Sequence, residues 1–345
     1  MKNVFKGKVA LVTGGSGSIG SEIARQLLKL GASTVRIFSN DEDGQFNLQH
    51  RMGELRNVRY LLGDLRDPVR LLKAMEGVDV VFHAAALKHV TACELNPFEA
   101  VMTNVIGTRN LVEAALTAEV SRVVTISTDK AANPVNVLGA TKLLAERLTT
   151  SAEYHKGPRK TVFCSVRFGN VLASRGSVVP IFASQIRSGG PLTLTDPGMT
   201  RFVMSIPDSV ALVLEAAATA VGGETFILKM PALKVGDLAE AIIETMASRP
   251  GGRKVKIKVV GMRRGEKYHE ELMNETEARS AFDADGMFIL VPPEFGSGQA
   301  HLERAISVYK RKYRRARVAT YSSGDQKLLT PAQVRKLLTP DVIPL

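Results

Sequence analysis

Three places in this 345-residue chain hold side chains whose types and spacing suit chemistry. The first is Ser127-Thr128-Asp129-Lys130, a hydroxyl, an acid and an amine at the end of an apolar run. An acid beside a base can move protons at neighbouring atoms of one substrate. An Asp next to a Lys is usually a solvent-facing pair, but at a strand end, with nucleotide-binding signals upstream, the chemical reading gains. One turn into the next helix, Leu138 and Lys142 share a face. The second place is Gly14-Gly15-Ser16-Gly17-Ser18-Ile19-Gly20. Glycines at 14, 17 and 20 fit Gly-x-x-Gly-x-x-Gly, and those at 15, 17 and 20 fit Gly-x-Gly-x-x-Gly. Absent side chains let backbone N–H groups and a helix start approach a pyrophosphate, although a tight strand–helix turn alone would also use glycine. The third is Ser39-Asn40-Asp41-Glu42-Asp43, where an acid about 20 residues past such a loop binds the adenosine ribose. Asp41 and its acidic neighbours would repel a 2′-phosphate, whereas Ser39 is a fair donor to one, so NAD and NADP both stand. Asp64, closing the next strand, is placed to accept from the adenine amine or simply to face solvent.

The elements that must position these groups alternate. Lys8–Thr13, Thr34–Ser39, Val58–Gly63, Val78–Ala84 and Arg122–Ser127 read as buried strands. Ser18–Leu30, Pro68–Met75, Pro97–Ala118 and Val135–Glu153 carry apolar residues at helical spacing. Asn96 and Pro97 are suited to N-cap and N1 of the third helix. Such alternation gives a parallel sheet covered on both faces, with ligands at the C-terminal strand ends. A strand at Thr161–Val166 leads into a Gly/Pro-punctuated stretch from Gly169 to Gly198. Helices near Pro207–Ala220 and Val235–Ala247 and a strand near Lys254–Val260 follow. The expected division is a dinucleotide-binding domain over 1–168, a smaller interleaved lobe over 169–297, and a basic tail over 298–345.

Forty-six Lys and Arg against 34 Asp and Glu give a formal charge of +12. Ten basic and three acidic residues in 298–345 carry +7 of it. That run has one aromatic among Lys310–Arg317 and matches no nucleic-acid motif, so a solvated basic helix face is expected and no nucleic-acid partner. The 45% apolar content excludes wholesale disorder. Cys93 and Cys164 are too few for a disulfide framework or a multi-Cys metal site, and no metal is expected. With no apolar run near the ~20 residues that span a bilayer and no leader-like h-region, a soluble cytoplasmic protein without a membrane partner is expected.

The chain resembles the extended short-chain dehydrogenase/reductase family, and within it the UDP-N-acetylglucosamine 4,6-dehydratases of surface-glycan biosynthesis. The motifs begin with Thr13 to Gly20, His83-Ala84-Ala85-Ala86-Leu87-Lys88-His89-Val90, Asn96 to Val101 and Thr103-Asn104-Val105-Ile106-Gly107-Thr108. They continue with Ser127 to Ala131, Gly139-Ala140-Thr141-Lys142, Arg167 to Leu172, Ser174 to Val178, Met199-Thr200-Arg201-Phe202 and Arg263-Arg264-Gly265-Glu266-Lys267. The resemblance implies a Rossmann-like α/β fold, a doubly wound parallel sheet with a smaller, interleaved C-terminal substrate-binding lobe. It implies NADP or NAD, tightly bound and regenerated each turnover. The cofactor contacts implied are Gly14, Ser16, Gly17, Ser18, Ile19, Gly20, Ser39, Asn40, Asp41, Asp64, Leu65, Ala84, Ala85, Ala86, Lys88, Asn104 and Lys142. A UDP-sugar would be met by Lys88, Asn170, Val178, Thr193, Arg201, Arg263 and Glu266, with Arg264 an alternative phosphate ligand.

The resemblance also assigns roles. Lys130 would be the base at sugar C5 and Asp129 the acid at the C6 hydroxyl, in a redox-neutral dehydration. A lysine base needs its pKa lowered, for which Lys142 and Lys88 are the expected contributors. In short-chain dehydrogenases the position four before Lys142 is a tyrosine, and here it is Leu138. Thr128, with Asp129 or Lys130, must then handle the C4 hydroxyl proton, and the apolar residue groups the chain with a C5-retaining branch. A hexosamine 4- or 5-epimerase and a non-catalytic nucleotide-binding protein are the competing readings. Dimers or higher assemblies through Pro97–Ala118 and Val135–Glu153 are implied as well.

Overall fold

The computed structural model describes residues 4–248, 252, 254–291, 300–340 and 342–343. The Val/Ile/Leu-rich runs become β1 (Val9–Thr13), β2 (Thr34–Ser39), β3 (Val58–Leu62), β4 (Val80–His83), β5 (Arg122–Thr128) and β6 (Val162–Phe168). Joined by Thr225–Leu228, they lie parallel in the order β3-β2-β1-β4-β5-β6-Thr225–Leu228. Met287–Leu290, Ala281–Ala284 and Arg314–Arg315 add antiparallel strands and complete a ten-stranded sheet. This is the expected Rossmann-like α/β architecture. Strand order reverses between β1 and β4, which opens a crevice where the glycine loop leaves β1.

Helices α1 (Ser18–Lys29), α2 (Glu42–Met52) and α3 (Pro68–Met75) cover the first half. The second of these departs from the sequence reading, which named no helix there and read Asp41 as a ribose ligand. Asp41 is its N-cap, accepting from the Gly44 N–H at 2.9 Å. The long helix expected over Pro97–Ala118 is interrupted by a π-helical turn at Met102–Ile106, between Pro97–Val101 and Gly107–Thr117. Asn96 precedes it without capping it, since its side-chain amide donates back to the Ala92 carbonyl at 3.0 Å. The Gly169–Gly198 stretch is more ordered than its punctuation suggests, with a helix at Val178–Arg187 and a strand at Leu192–Leu194. The latter pairs in parallel with Ile257–Val259, the centre of the strand expected near Lys254–Val260.

The largest apolar core gathers Val12, Ile23, Val124, Val166 and Phe226 on one face of the sheet, and a separate one gathers Leu11, Val81 and Val123 on the other. Another, built on Val179, Phe182, Leu192, Leu238 and Ile242, belongs to the lobe. The C-terminal segment threads two of them: Tyr309 and Tyr321 enter the largest, and Val334, Leu338 and Ile343 that of the lobe. A boundary at 297/298 falls outside the described residues. Lys310, Arg311 and Lys312 at the end of helix Ala300–Lys312 are exposed, a solvated basic face. Among the described residues, no helix is long and apolar enough to cross a membrane.

Candidate active site

The crevice is a cleft of about 880 Å³ running from the end of β2, over the glycine loop, to the end of β5. Gly14 adopts φ +63°, and a Cβ there would lie 2.7 Å from the Ala85 amide nitrogen. A Cβ on Gly20 would lie 2.3 Å from the Gly14 carbonyl oxygen. These two glycines let the loop fold onto its own helix and onto the exit of β4. Gly17 faces the cleft with more room, its virtual Cβ meeting the Gly14 oxygen at 3.1 Å and Arg175 at 3.9 Å. The start of α1 is thereby open to a phosphate group, so the residues fit a dinucleotide.

At the adenosine end Ser39, Asn40, Asp41, Asp64 and Leu65 line the cleft with Ser16, Ser18 and Ile19. Asp41 is tied to its surroundings: besides capping α2, it lies 3.4 Å from the Ser16 hydroxyl and 3.3 Å from Arg175. The Gly44 N–H chiefly, with Arg175 and Ser16, holds its carboxyl below the ordinary range. Arg66, with help from Asn40, does the same for Asp64. Arg175 also lines the cleft and was not picked out as a ligand from sequence. Its backbone N–H donates to the Ser18 hydroxyl at 3.0 Å and its carbonyl accepts from the Lys88 amine. The lobe's loop is thus laid against the glycine loop. Burial, then Arg175, lowers the pKa of Lys88.

Ala84, Ala85 and Ala86 form the wall after β4. Asn104, expected against the cofactor, instead stands buried behind that wall. Its carbonyl oxygen accepts from the Leu87 N–H at 2.8 Å, and its amide donates to the Leu87 carbonyl and the Thr141 hydroxyl at 3.0 Å each. The π-turn re-aims this side chain into the gap, making it a support. His83, missed from sequence, bridges Thr13 at 2.8 Å and Thr108 at 3.0 Å; burial pushes its pKa down to about 3, so it is neutral.

The acid–base group sits where β5 ends. Thr128 donates to Asp129 Oδ1 at 2.8 Å, and the Lys130 amine lies 3.0 Å from the same oxygen. Asp129 is wholly buried behind the cleft wall, whereas Thr128 and Lys130 line the cleft. Helix Val137–His155 is brought against this turn by Gly139, whose virtual Cβ would stand 2.3 Å from the Lys130 carbonyl oxygen. Asn136 caps it through the Gly139 N–H at 2.8 Å. Lys142 then points inward and donates to the Ile126 carbonyl at 2.5 Å. Burial lowers its pKa to about 8 against the opposing pull of Glu146. Leu138 lines the cleft and packs with Cys93 and Ala100, so the wall is apolar one helical turn before Lys142.

One expectation is corrected here. Burial does work to lower the pKa of Lys130, but Asp129 and Glu270 outweigh it and hold the ammonium above its ordinary value. Arg201, rather than Lys88 or Lys142, is the cation that opposes them. Glu270 was not visible from sequence. It is buried, and its Oε1 lies 3.4 Å from Lys130 and 3.7 Å from Arg201.

The substrate candidates separate. Asn170 and Lys88 line the cleft; Val178, Thr193, Arg201, Arg263 and Glu266 do not. Arg201 is occupied with the Thr200 and Tyr268 carbonyls at 2.7 and 3.1 Å. Thr193 is bonded to Gln185, and Glu266 closes a turn through the Arg263 N–H at 3.0 Å. Arg263 and Arg264 are exposed, and Val178 opens the helix that follows Ser177. Among the described residues, no group of three or more His, Cys, Asp or Glu side chains could hold a metal ion.

Over 340 residues the chain is 50% identical to an uncharacterized membrane protein of Methanocaldococcus jannaschii, covering 98% of this chain and 97% of that one. It is 38% identical over 339 residues to a UDP-glucose 4-epimerase of Rickettsia akari, covering 97% and 96%. The solved structure of Pen from Bacillus thuringiensis superposes with a TM-score of 0.88 at 44% identity, covering 97% of this chain and 98% of that one. The family described as "Polysaccharide biosynthesis protein" matches residues 10–292, and the chain belongs to that family.

Proposed function

We propose that the chain is a UDP-N-acetylglucosamine 4,6-dehydratase that makes a UDP-4-keto-6-deoxyhexosamine on a bound NAD or NADP. The observation that supports this best is the Asp129–Lys130 pair at the end of β5: Lys130 lines the cleft, and the carboxylate 3.0 Å behind it is reached from the cleft through the Thr128 hydroxyl. Removing water across C5–C6 needs a base at C5 and an acid at the C6 hydroxyl, whereas epimerising C4 needs only an acceptor for the C4 hydroxyl proton. When bound, the dinucleotide supplies hydride acceptance at sugar C4 and its return at C6. Gly14, Gly17 and the start of α1 would hold its pyrophosphate, and Lys142 its nicotinamide ribose.

The protein's own groups move the protons. Leu138 has no proton to exchange, so the C4 hydroxyl proton passes through Thr128 to Asp129, along the 2.8 Å hydrogen bond. Asp129 hands that proton back through the Thr128 hydroxyl to the departing C6 hydroxyl, which leaves as water. Lys130 takes the C5 proton once it has released its own, exchanges with solvent as ammonium, and delivers a proton to C5 when C6 is reduced. Both side chains end as they began, and return of a proton by the same amine favours retention at C5.

The 4-epimerase reading is kept alive by the Rickettsia akari relative. Exposed Leu95, Phe98, Met102 and Leu144 on the helices between 90 and 155 support pairing of two copies through that face. The deciding experiment is incubation with UDP-N-acetylglucosamine in deuterated water, followed by NMR. A 4-keto-6-deoxy product with deuterium at C5 is expected. Conversion only to the C4 epimer, with no solvent deuterium, would replace the dehydratase by the epimerase. No conversion of several UDP-hexosamines by protein that holds nicotinamide would remove the enzyme reading.

A further inference from the structure

Beside Lys130 stands a buried acid that the mechanism leaves unused. Glu270 reaches Lys130 at 3.4 Å from a segment of the lobe that the C-terminal chain holds in place. Its N–H donates to the Ser323 hydroxyl at 2.9 Å, and its carbonyl accepts from the Ser323 N–H at 2.8 Å. Ser323, wholly buried, is fixed in turn by the Thr200 hydroxyl at 2.7 Å. Tyr321–Ser322 pairs antiparallel with Glu271–Met273 beside it. This anchoring leaves the Glu270 carboxylate little freedom to turn away.

Around Lys130 the charged groups are Asp129 on its own turn, and Glu270 and Arg201 from the lobe. Lys267 and Glu271, on the same lobe segment, are directed instead to the Ala132 carbonyl and the Asn133 amide. Two carboxylates therefore contact one amine, and Arg201 lies 3.7 Å from the Glu270 oxygen that Lys130 approaches. Asp129 Oδ2 and Glu270 Oε2 are buried without a protein hydrogen-bond partner. Such atoms cost free energy and are uncommon outside functional sites. A carboxylate within about 4 Å of an ammonium stabilises its charged form strongly when both are shielded from water.

We infer that Glu270 is a positioning residue of the reaction: with Asp129 it holds the Lys130 amine and governs when that amine releases its proton. This rests on reading Lys130 as the base. Glu270 touches no reacting atom on this view. It sets how much of Lys130 is free amine at a given pH, and Arg201, on the same carboxylate oxygen, offsets part of its charge.

The test is competitive acetylation of the whole protein at fixed pH, with the rate at each lysine read by mass spectrometry. Only free amine reacts, so the rate at Lys130 follows its unprotonated fraction. In Glu270→Gln that rate should rise about tenfold, the equivalent of one pH unit. Lys88, in the same cleft, should be unchanged. Glu270→Asp keeps the charge but withdraws it by one methylene and should fall between, which covers the case in which the glutamine variant does not fold. In parallel, the alkaline-rising limb of UDP-sugar turnover should move about one pH unit lower in Glu270→Gln. An unchanged or slower acetylation of Lys130 in the variant that folds overturns the inference, whatever the turnover shows. Faster acetylation in a protein that converts no UDP-sugar upholds the role of Glu270 and removes the dehydratase.

Discussion

Two of the buried ionic groups in this fold are finished differently. Behind β6, Arg167 is bidentate to Glu146 at 3.0 and 2.6 Å, bonded twice to Glu277 at 2.9 Å and once to the Leu272 carbonyl at 2.9 Å. Every guanidinium nitrogen there has a partner. Glu277 also closes a capping box with Asn274. Burial alone would raise its pKa, yet Arg167 more than compensates and the carboxyl sits below the ordinary range. At the end of β5 the arithmetic of charge is similar, with Lys130 and Arg201 against Asp129 and Glu270, but two carboxylate oxygens are left unbonded. A satisfied network fixes a structure, whereas an unsatisfied one beside a cleft keeps capacity for a ligand or a proton.

That contrast can be broken in order of expected size. Lys130→Ala should lower UDP-sugar turnover by ~10²–10⁴-fold with UDP binding retained; turnover within threefold of the parent would erase the distinction. Arg167→Ala strands two buried carboxylates and should cost about 3–5 kcal/mol of folding stability. Denaturant unfolding measures it, and a loss under about 1 kcal/mol would mean the satisfied group is not what holds the sheet to the lobe. The smallest effect concerns Lys142, whose pKa is lowered from 10.5 to about 8 by burial. Between those pH values the unfolded chain binds a proton that the folded chain has released, so stability should rise with pH across that window. Lys142→Met should flatten the rise in urea unfolding followed from pH 7.5 upward, and parallel curves for the two proteins would contradict the assignment.

The same contrast separates what was legible in the sequence. The parallel strands, the glycine loop and the strand-end Thr128-Asp129-Lys130 are local signals, carried by runs of neighbouring residues, and the fold follows them closely. Helix α2 escaped because Asp41, Glu42 and Asp43 look like ligands, and only the Gly44 N–H reveals Asp41 as a cap. The π-turn at Met102–Ile106 has no pattern of its own, yet it decides that Asn104 supports Leu87 rather than lining the cleft. Glu270 and Arg175 meet their partners across long separations in sequence, and nothing in their neighbours announces the encounter. Arg201, Arg263 and Glu266 were placed by resemblance. Here they lie outside the cleft wall, engaged with the backbone around Tyr268 and Glu266 or exposed.

The anchoring of Glu270 by Ser323 has a consequence for the order in which the molecule is made. During synthesis the glycine loop, β1 to β5 and the turn at Lys130 leave the ribosome well before Tyr321–Ser323 does. A nascent chain can therefore complete the place for a dinucleotide long before the acid–base group acquires its second carboxylate. The capacity to hold a reactive cofactor arises early, and the machinery that uses it is assembled by one of the later strands to emerge.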